Sequence, residues 1–269
     1  MKRYAGKFND LEGKYKTLHN ALFILAQNIR ADQPGGMSAK TQYSKMLGVV
    51  YESASYRAHS VLWHINELCN YHVQYESQYL MDINKKNDTS RYYEMYLNYT
   101  FDDFIFNLMS LYDYFARYFY IAFVSELKPK KTWRSLAKLC EDRKNEFYNC
   151  KLAEMIRNHN RMWVQKIEDF RAGIIHYEIK MGDSKAFYTW RDKEGYAAKI
   201  MCAMPDDIVK KLQLQDCPQN NAGVDLQFGT IEIGKRTFES LCKLTELANN
   251  TCTSKFYQKD TFADITLQN

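Results

Sequence analysis

Helix-breaking residues are scarce along this chain. Its 269 residues include only 11 glycines and 4 prolines, while apolar residues make up 46% of the sequence. Between the breakers, apolar side chains recur every three to four residues, which is the spacing of one face of an α-helix. A chain of this length can bury a substantial core. The pattern therefore predicts a mainly α-helical fold rather than a many-stranded β fold.

Five stretches keep the helical period before residue 181. They are residues 11–30, 38 to about 82, 101–123, 133–148 and 151–180. In the second stretch, the residues after Tyr71 turn polar and aromatic, so the helix can break there. The third helix can begin at Ser90 or at Thr100. Thr100 and Asp103 have the spacing of a capping box, so the main body of this helix is expected to begin at residue 101. Its wide aromatic stripe is typical of a protein core.

The pattern changes after Met181. Residues 185–190 and 196–204 predict a β-hairpin, residues 224–233 alternate like one or two short strands, and residues 235–251 return to the helical period. We therefore expect a helical bundle over residues 1–181, a small β and loop insertion over 182–233, and a closing helix with a tail over 234–269.

Net charge and cysteine content give little evidence for any class of protein, and the cysteines argue against a disulfide-stabilised or zinc-binding protein. The formal net charge is +5, with basic and acidic residues interspersed, which is compatible with nucleic acid without being diagnostic of it. The seven cysteines are scattered without a C-x-x-C pair, so reduced thiols are expected rather than disulfides or a zinc site. His59 and His64 have no evident third ligand, and no nucleotide or hydrolase motif occurs. We expect no metal and no cofactor.

The longest apolar stretch, residues 101–124, is interrupted by charged residues. It is expected to be a core helix rather than a membrane span, and the first residues lack the apolar segment of a secretory signal. The sequence thus predicts a cytoplasmic protein without a membrane partner.

The stretch of residues 151–180 carries the strongest functional signal. Its apolar residues form one stripe, and near its end Arg171 and His176 are separated by four residues. A histidine can take the proton of a ribose 2′-hydroxyl or protonate the leaving 5′-oxygen. An arginine can hold the phosphate and neutralise the charge that develops on it. Together they could cleave RNA without a metal ion.

The segment EDFRAGIIHYE, near the end of a long helix in a helical bundle, resembles the HEPN superfamily, whose signature is R-x(4–6)-H. The resemblance implies a HEPN-like helical bundle and, for many members, metal-independent endoribonuclease activity at the interface of a homodimer. It assigns phosphate contact to Arg171 and acid–base catalysis to His176. Residues Arg157, Asn158 and Arg161, on the same predicted helix, could extend a nucleic-acid-binding face.

Several alternatives remain open from the sequence. Arg57 and His64 form a second match to the signature, and Ala172 replaces the polar residue that often follows the arginine in active members. Arg171 could instead pair with Glu168 or Asp169. Five residues on a regular helix turn through about 140°, so the two side chains need a dimer or a distortion at Gly173 to meet. The alternatives to a nuclease are a non-catalytic module that binds RNA or a protein, as in bacterial defence or toxin–antitoxin systems, and a purely structural bundle.

Overall fold

The structure is a computed structural model that describes residues 4–31, 37–85, 88–124, 132–145, 148–176, 185–192, 195–214, 219–220 and 223–266. The helices are α1 (Ala5–Ala31), α2 (Met37–Lys85), α3 (Ser90–Val124), α4 (Trp133–Glu141), α5 (Lys151–His159), α6 (Gln165–His176), α7 (Asp206–Lys211) and α8 (Leu226–Thr266). A π-helical turn, Asn160–Val164, joins α5 to α6. The strands are β1 (Lys185–Asp192), β2 (Gly195–Cys202), β3 (Gln219–Asn220) and β4 (Gly223–Val224).

The predicted mainly α-helical fold with a small β insertion is confirmed. Strands β1 and β2 form the predicted hairpin and pair antiparallel, from Lys185 opposite Cys202 to Asp192 opposite Gly195. None of the described helices combines the length and the apolar character needed to cross a membrane.

Helix α2 does not break after Tyr71, because the polar and aromatic residues there make tertiary contacts. Tyr71 packs against Tyr96 of α3, with ring centroids 5.3 Å apart. His72 is buried and hydrogen-bonds the carbonyl oxygen of Ile200 at 2.6 Å, while the Ile200 N–H donates to Glu76 at 3.0 Å. These two bonds hold β2 against α2. The polar and aromatic residues after Tyr71 therefore mark the place where the hairpin attaches to α2, and not the end of the helix.

Helix α3 begins at Ser90, the earlier of the two starts that the sequence allowed and eleven residues before the expected start of its main body. The Ser90 N–H donates to the buried carboxylate of Asp82, which also accepts from the side chain of Gln78. An acceptor at this position satisfies one of the N–H groups that have no partner in the first turn of a helix. Thr100 is buried inside the helix, so the predicted capping box at residues 100–103 is wrong.

The predicted strands at residues 224–233 are also wrong beyond Val224, because α8 begins at Leu226. A side-chain oxygen of Asp225 accepts from the Phe228 N–H at 3.2 Å and caps the helix. The residues from Leu226 to Ile231 are all buried, so this part of α8 is enclosed on every side. A helix that is enclosed on every side does not need one polar face. Its apolar residues therefore do not recur every three to four positions, and the sequence does not show it as a helix.

Residue contacts divide the chain into two compact units. The first unit comprises Met1–Glu12, His59–Met109 and Met162–Arg236, and the second comprises Gly13–Ala58, Ser110–Arg161 and Thr237–Asn269. The boundaries predicted at residues 181 and 233 both fall inside the first unit. Helices α1, α2, α3 and α8 each contribute residues to both units.

The aromatic stripe of α3 is buried, as predicted. In the first unit, Phe101 packs edge-on against Phe170 of α6, with ring centroids 6.2 Å apart. Helix α8 also approaches closely there: a Cβ placed on Gly234 would lie 2.6 Å from Ile65 Cδ1. In the second unit, Tyr112 packs edge-on against Trp133 at 5.0 Å. The core predicted from the periodicity is thus distributed over both units.

Candidate functional site

The helix predicted over residues 151–180 is divided by the π turn at Asn160–Val164. Helix α5 precedes it and α6 follows it as far as His176, and residues 177–180 lie outside the described residues. Trp163 within the turn, and Ile167 and Phe170 after it, are buried and hold this segment against the core of the first unit. Single π turns within α-helices often occur at functional sites. Here the turn connects Arg157 and Asn158 to the segment that carries Arg171.

Arg171 is partly exposed on α6, and its guanidinium lies over the ring of Phe106, 5.3 Å from the ring centroid. Within the described part of the chain, no carboxylate lies within ion-pair distance of it. The pairing with Glu168 or Asp169 that the sequence left open is therefore not formed. A guanidinium supported by an aromatic ring, without a carboxylate partner, is available to an anion.

His176 is the last residue of α6, and its side chain lies outside the described residues. The helix remains α-helical across Gly173, where an added Cβ would meet nothing within 4 Å. The distortion at Gly173 that would bring Arg171 and His176 to one face is thus not present. On a regular helix the two positions differ by about 140°.

Arg157 has a structural role in the second unit. Its Nη1 donates to the carbonyl oxygens of Cys140 and Tyr148, both at 2.7 Å, and its guanidinium lies over the Tyr148 ring at 4.4 Å. Cys140 belongs to the last turn of α4, whose final carbonyl groups have no partner within the helix. Arg157 therefore ties α5 to the end of α4, and a phosphate could use only the other N–H groups of its guanidinium.

Asn158 and Arg161 are both exposed in the second unit. Asn158 lines an open groove of about 550 Å³ between α5 and α8. The other residues of this groove are Lys151, Glu154, Met155, Lys243, Glu246, Leu247 and Asn250. The two lysines and two glutamates balance each other, so the groove is not a basic surface. Nucleic-acid binding by Asn158 and Arg161 stays a prediction.

His159 lies inside a cluster that sequence reasoning did not identify. Its Nε2 lies 3.1 Å from the Tyr112 hydroxyl, and its ring packs against those of Tyr112 and Trp133. Trp133 in turn donates from Nε1 to Asn160 at 3.1 Å. Burial lowers the pKa of His159 to about 4. The imidazole is therefore neutral at physiological pH, which suits a structural role next to the π turn.

The second match to the signature is divided between the two units. His64 belongs to the first unit, where its Nε2 lies 3.0 Å from the side-chain nitrogen of Asn107, and Asn107 also accepts from Ser60 at 3.0 Å. Burial lowers the pKa of His64. Arg57 belongs to the second unit and stacks on Tyr56. This histidine is part of a packed polar network between α2 and α3.

The described residues include no group of three or more histidine, cysteine, aspartate or glutamate side chains that could hold a metal ion. The structure describes the side chains of five of the seven cysteines, and all five are free thiols. One of them, Cys150, caps α5 by accepting from the Ala153 N–H at 3.3 Å.

Comparisons with known proteins found no matching family model, no matching curated protein and no matching solved structure. A functional interpretation of this chain therefore depends on its own residues. Among these, Arg171 combines partial exposure, aromatic support and the absence of a described carboxylate partner.

Proposed function

We propose that this chain is a HEPN-like, metal-independent endoribonuclease that acts as a homodimer. The proposal depends on the environment of Arg171. Its guanidinium stacks on Phe106 and has no carboxylate partner among the described residues. Stacking on the ring restricts the arginine side chain before substrate binds. A planar guanidinium can then donate two hydrogen bonds to one phosphate and stabilise the charge that develops in the transition state.

The helical geometry favours a site made by two chains. Arg171 and His176 are about 140° apart on a regular α-helix, so a site within one chain would require the arginine to reach around the helix. In a two-fold dimer, Arg171 of one copy can face His176 of the other. Two equivalent sites then form, each with an arginine and a histidine from different chains.

The chemistry follows from these two groups and the substrate. His176 removes the proton of the ribose 2′-hydroxyl, and the 2′-oxygen attacks the adjacent phosphorus. The bond from phosphorus to the 5′-oxygen breaks, that oxygen takes up a proton from water, and His176 then gives its own proton to the solvent. The products are a 2′,3′-cyclic phosphate and a free 5′-hydroxyl. Arg171 neutralises the non-bridging oxygens throughout the reaction.

The second candidate function is a non-catalytic RNA- or protein-binding module of the same fold. Ala172, which is exposed on α6, favours it, because active members of the resembled superfamily often have a polar residue after the arginine. This candidate predicts that RNA or a protein binds without being cut.

A cleavage assay on single-stranded RNA in EDTA tests the proposal. Wild type is expected to cut, whereas Arg171→Ala and His176→Ala are each expected to be inactive. Arg171→Lys keeps the charge but loses the paired hydrogen bonds, so it should be roughly ten- to a hundredfold slower. Arg143→Ala, which removes an exposed arginine elsewhere, is the control and should cut like wild type.

Subunit mixing separates a site within one chain from a site shared by two. After co-refolding equal amounts of Arg171→Ala and His176→Ala, half of the dimers are mixed, and each contains one intact site. Activity should return to about a quarter of wild type. No recovery would rule out the shared site. Equal cleavage by wild type and both single variants would rule out the nuclease.

A further inference from the structure

The N-terminal part of α3 presents an exposed apolar stripe. Tyr92, Met95, Tyr96 and Tyr99 are 61, 40, 45 and 50% exposed. Their spacing of three, one and three residues places them within a sector of about 100° around the helix. We call these four residues the α3 stripe. It lies opposite the buried face of α3 that carries Leu97, Phe101 and Phe104.

Tyr96 of the α3 stripe is held in place by neighbouring rings. Tyr96 packs against Tyr71 at 5.3 Å and against Tyr93 at 6.1 Å. A side chain that is restrained before association loses little entropy when a partner covers it. Tyrosine is also enriched among the residues that contribute most of the binding energy at protein interfaces. The stripe therefore has the properties of an interface rather than of scattered surface residues.

Two charged residues flank the stripe on the same side. Arg91 and Asp102 are eleven residues apart, which is close to three helical turns, so their side chains point in nearly the same direction about 16 Å apart along the axis. In the part of the chain that the structure describes, neither has an oppositely charged side chain within ion-pair distance. Burial and the charge of Asp103 raise the pKa of Asp102 to about 6. Among the described residues, this carboxylate thus has no cation beside it.

We infer that the α3 stripe is an interface between two copies of this chain, with the two α3 helices packed antiparallel about a two-fold axis between residues 96 and 97. The antiparallel arrangement places Arg91 of each copy opposite Asp102 of the other. A parallel arrangement would place Arg91 opposite Arg91 and is excluded by repulsion. A two-fold axis therefore converts two unpaired charges into two ion pairs.

The size of the stripe suits a weak dimer. About half of each of the four side chains is exposed, which corresponds to roughly 400 Å² per copy and roughly 800 Å² for the pair. The flanking charged residues bring the total near 1,000 Å², the lower end for a specific interface. We expect dissociation constants in the micromolar range.

This contact is separate from the one required by the proposed nuclease site. Arg171 lies over Phe106, about 14 Å along α3 from the inferred axis, so the axis does not bring two Arg171 side chains together. A chain that uses both contacts would form assemblies larger than a dimer. The inference extends beyond the proposed function and does not depend on it.

Charge reversal tests the antiparallel pairing. Sedimentation velocity from 1 to 100 µM compares wild type with Arg91→Asp, Asp102→Arg and the double variant, and circular dichroism checks that each is folded. Each single variant faces two like-charged pairs, so its association through this surface should weaken roughly tenfold or more. The double variant restores both pairs with reversed sign and should associate like wild type. Arg143→Asp, an exposed reversal elsewhere, should have no effect.

Tyr99→Ser provides an independent variant, because it removes one ring of the stripe without adding a charge beside the ion pairs. It should also weaken association. Three results would overturn the inference: a monomeric wild type over the whole range, unchanged association in all the variants, or single variants that weaken association without rescue in the double. RNA cleavage is measured on the same samples, and Arg91→Asp is expected to cut RNA like wild type. Loss of association without loss of cleavage therefore concerns this interface alone, and absence of cleavage in wild type concerns the nuclease proposal alone.

Discussion

Lowering the pH from 7.5 to 5 should destabilise this protein through His159. The imidazole packs against Tyr112 and Trp133, and burial lowers its pKa to about 4 from an ordinary value of 6.5. In the unfolded chain the same group gains a proton near its ordinary pKa. As the pH falls through 6.5, the unfolded state therefore binds a proton that the folded state does not accept, and the folded state loses stability.

The size of the effect follows from the two pKa values. At pH 5 nearly all unfolded chains carry a protonated His159, while the folded form is still mostly neutral. Linkage then gives a loss of about 2 kcal/mol between pH 7.5 and 5, rising to about 3 kcal/mol by pH 4. For a protein whose total stability is about 5–15 kcal/mol, this loss is large enough to resolve.

Urea unfolding at several pH values measures the effect when wild type is compared with His159→Gln, which keeps a polar side chain that does not titrate. The variant is expected to lose about 2 kcal/mol less than wild type between pH 7.5 and 5. Tyr112→Phe is the matched control: it removes the hydroxyl beside Nε2 but keeps the ring that buries the imidazole. It should retain the wild-type pH dependence. Parallel curves for wild type and His159→Gln would refute the argument that burial holds this histidine neutral.

Two further predictions concern packing. Gly234→Ala should lower the free energy of unfolding by about 1–2 kcal/mol, because the new Cβ would lie 2.6 Å from the side chain of Ile65. Gly173→Ala should raise it by up to about 1 kcal/mol, because a Cβ there has no atom within 4 Å and alanine favours the helix. Thermal unfolding of both variants tests this, and equal shifts would contradict it. Arg157→Ala removes two charged hydrogen bonds to main-chain carbonyls and should cost about 2–3 kcal/mol by urea unfolding. A change below about 0.5 kcal/mol, as is usual for a surface residue, would show that this arginine does not hold α4 and α5 together.

The fold class and much of the core could be predicted because they depend on local pattern. Few breakers and a sustained period of three to four residues define long helices, and the same period identifies the buried face of α3. The β-hairpin followed from alternation bounded by turn residues. In each case the signal lies within one segment of the chain and needs no knowledge of its neighbours.

The errors occurred where tertiary neighbours determine the outcome. The start of α8 is buried on all sides, so its sequence has no polar face to distinguish a helix from a strand. Helix α3 begins at Ser90 because of a carboxylate eight residues earlier on α2. The π turn adds a residue to a helix whose apolar spacing looks continuous.

The candidate site was predictable only as a pair of residue types at a given spacing. That Arg171 would stack on Phe106 without a described carboxylate partner, and that Arg157 would bond two main-chain carbonyls, depends on segments distant in sequence. The apolar spacing identified the helix that carries Arg171, but the partners of its side chain could not be read from it.

The division into two units has a consequence for how this protein can change over generations. Each unit is assembled from three separate stretches of the chain, and α1, α2, α3 and α8 contribute to both. Recombination and gene fusion transfer contiguous segments, so neither unit can be inherited, exchanged or duplicated alone. New properties are therefore expected to arise by point substitution, or by insertion of residues at the ends or in the connecting loops. The smallest segment that recombination can transfer as a folded part is the whole chain.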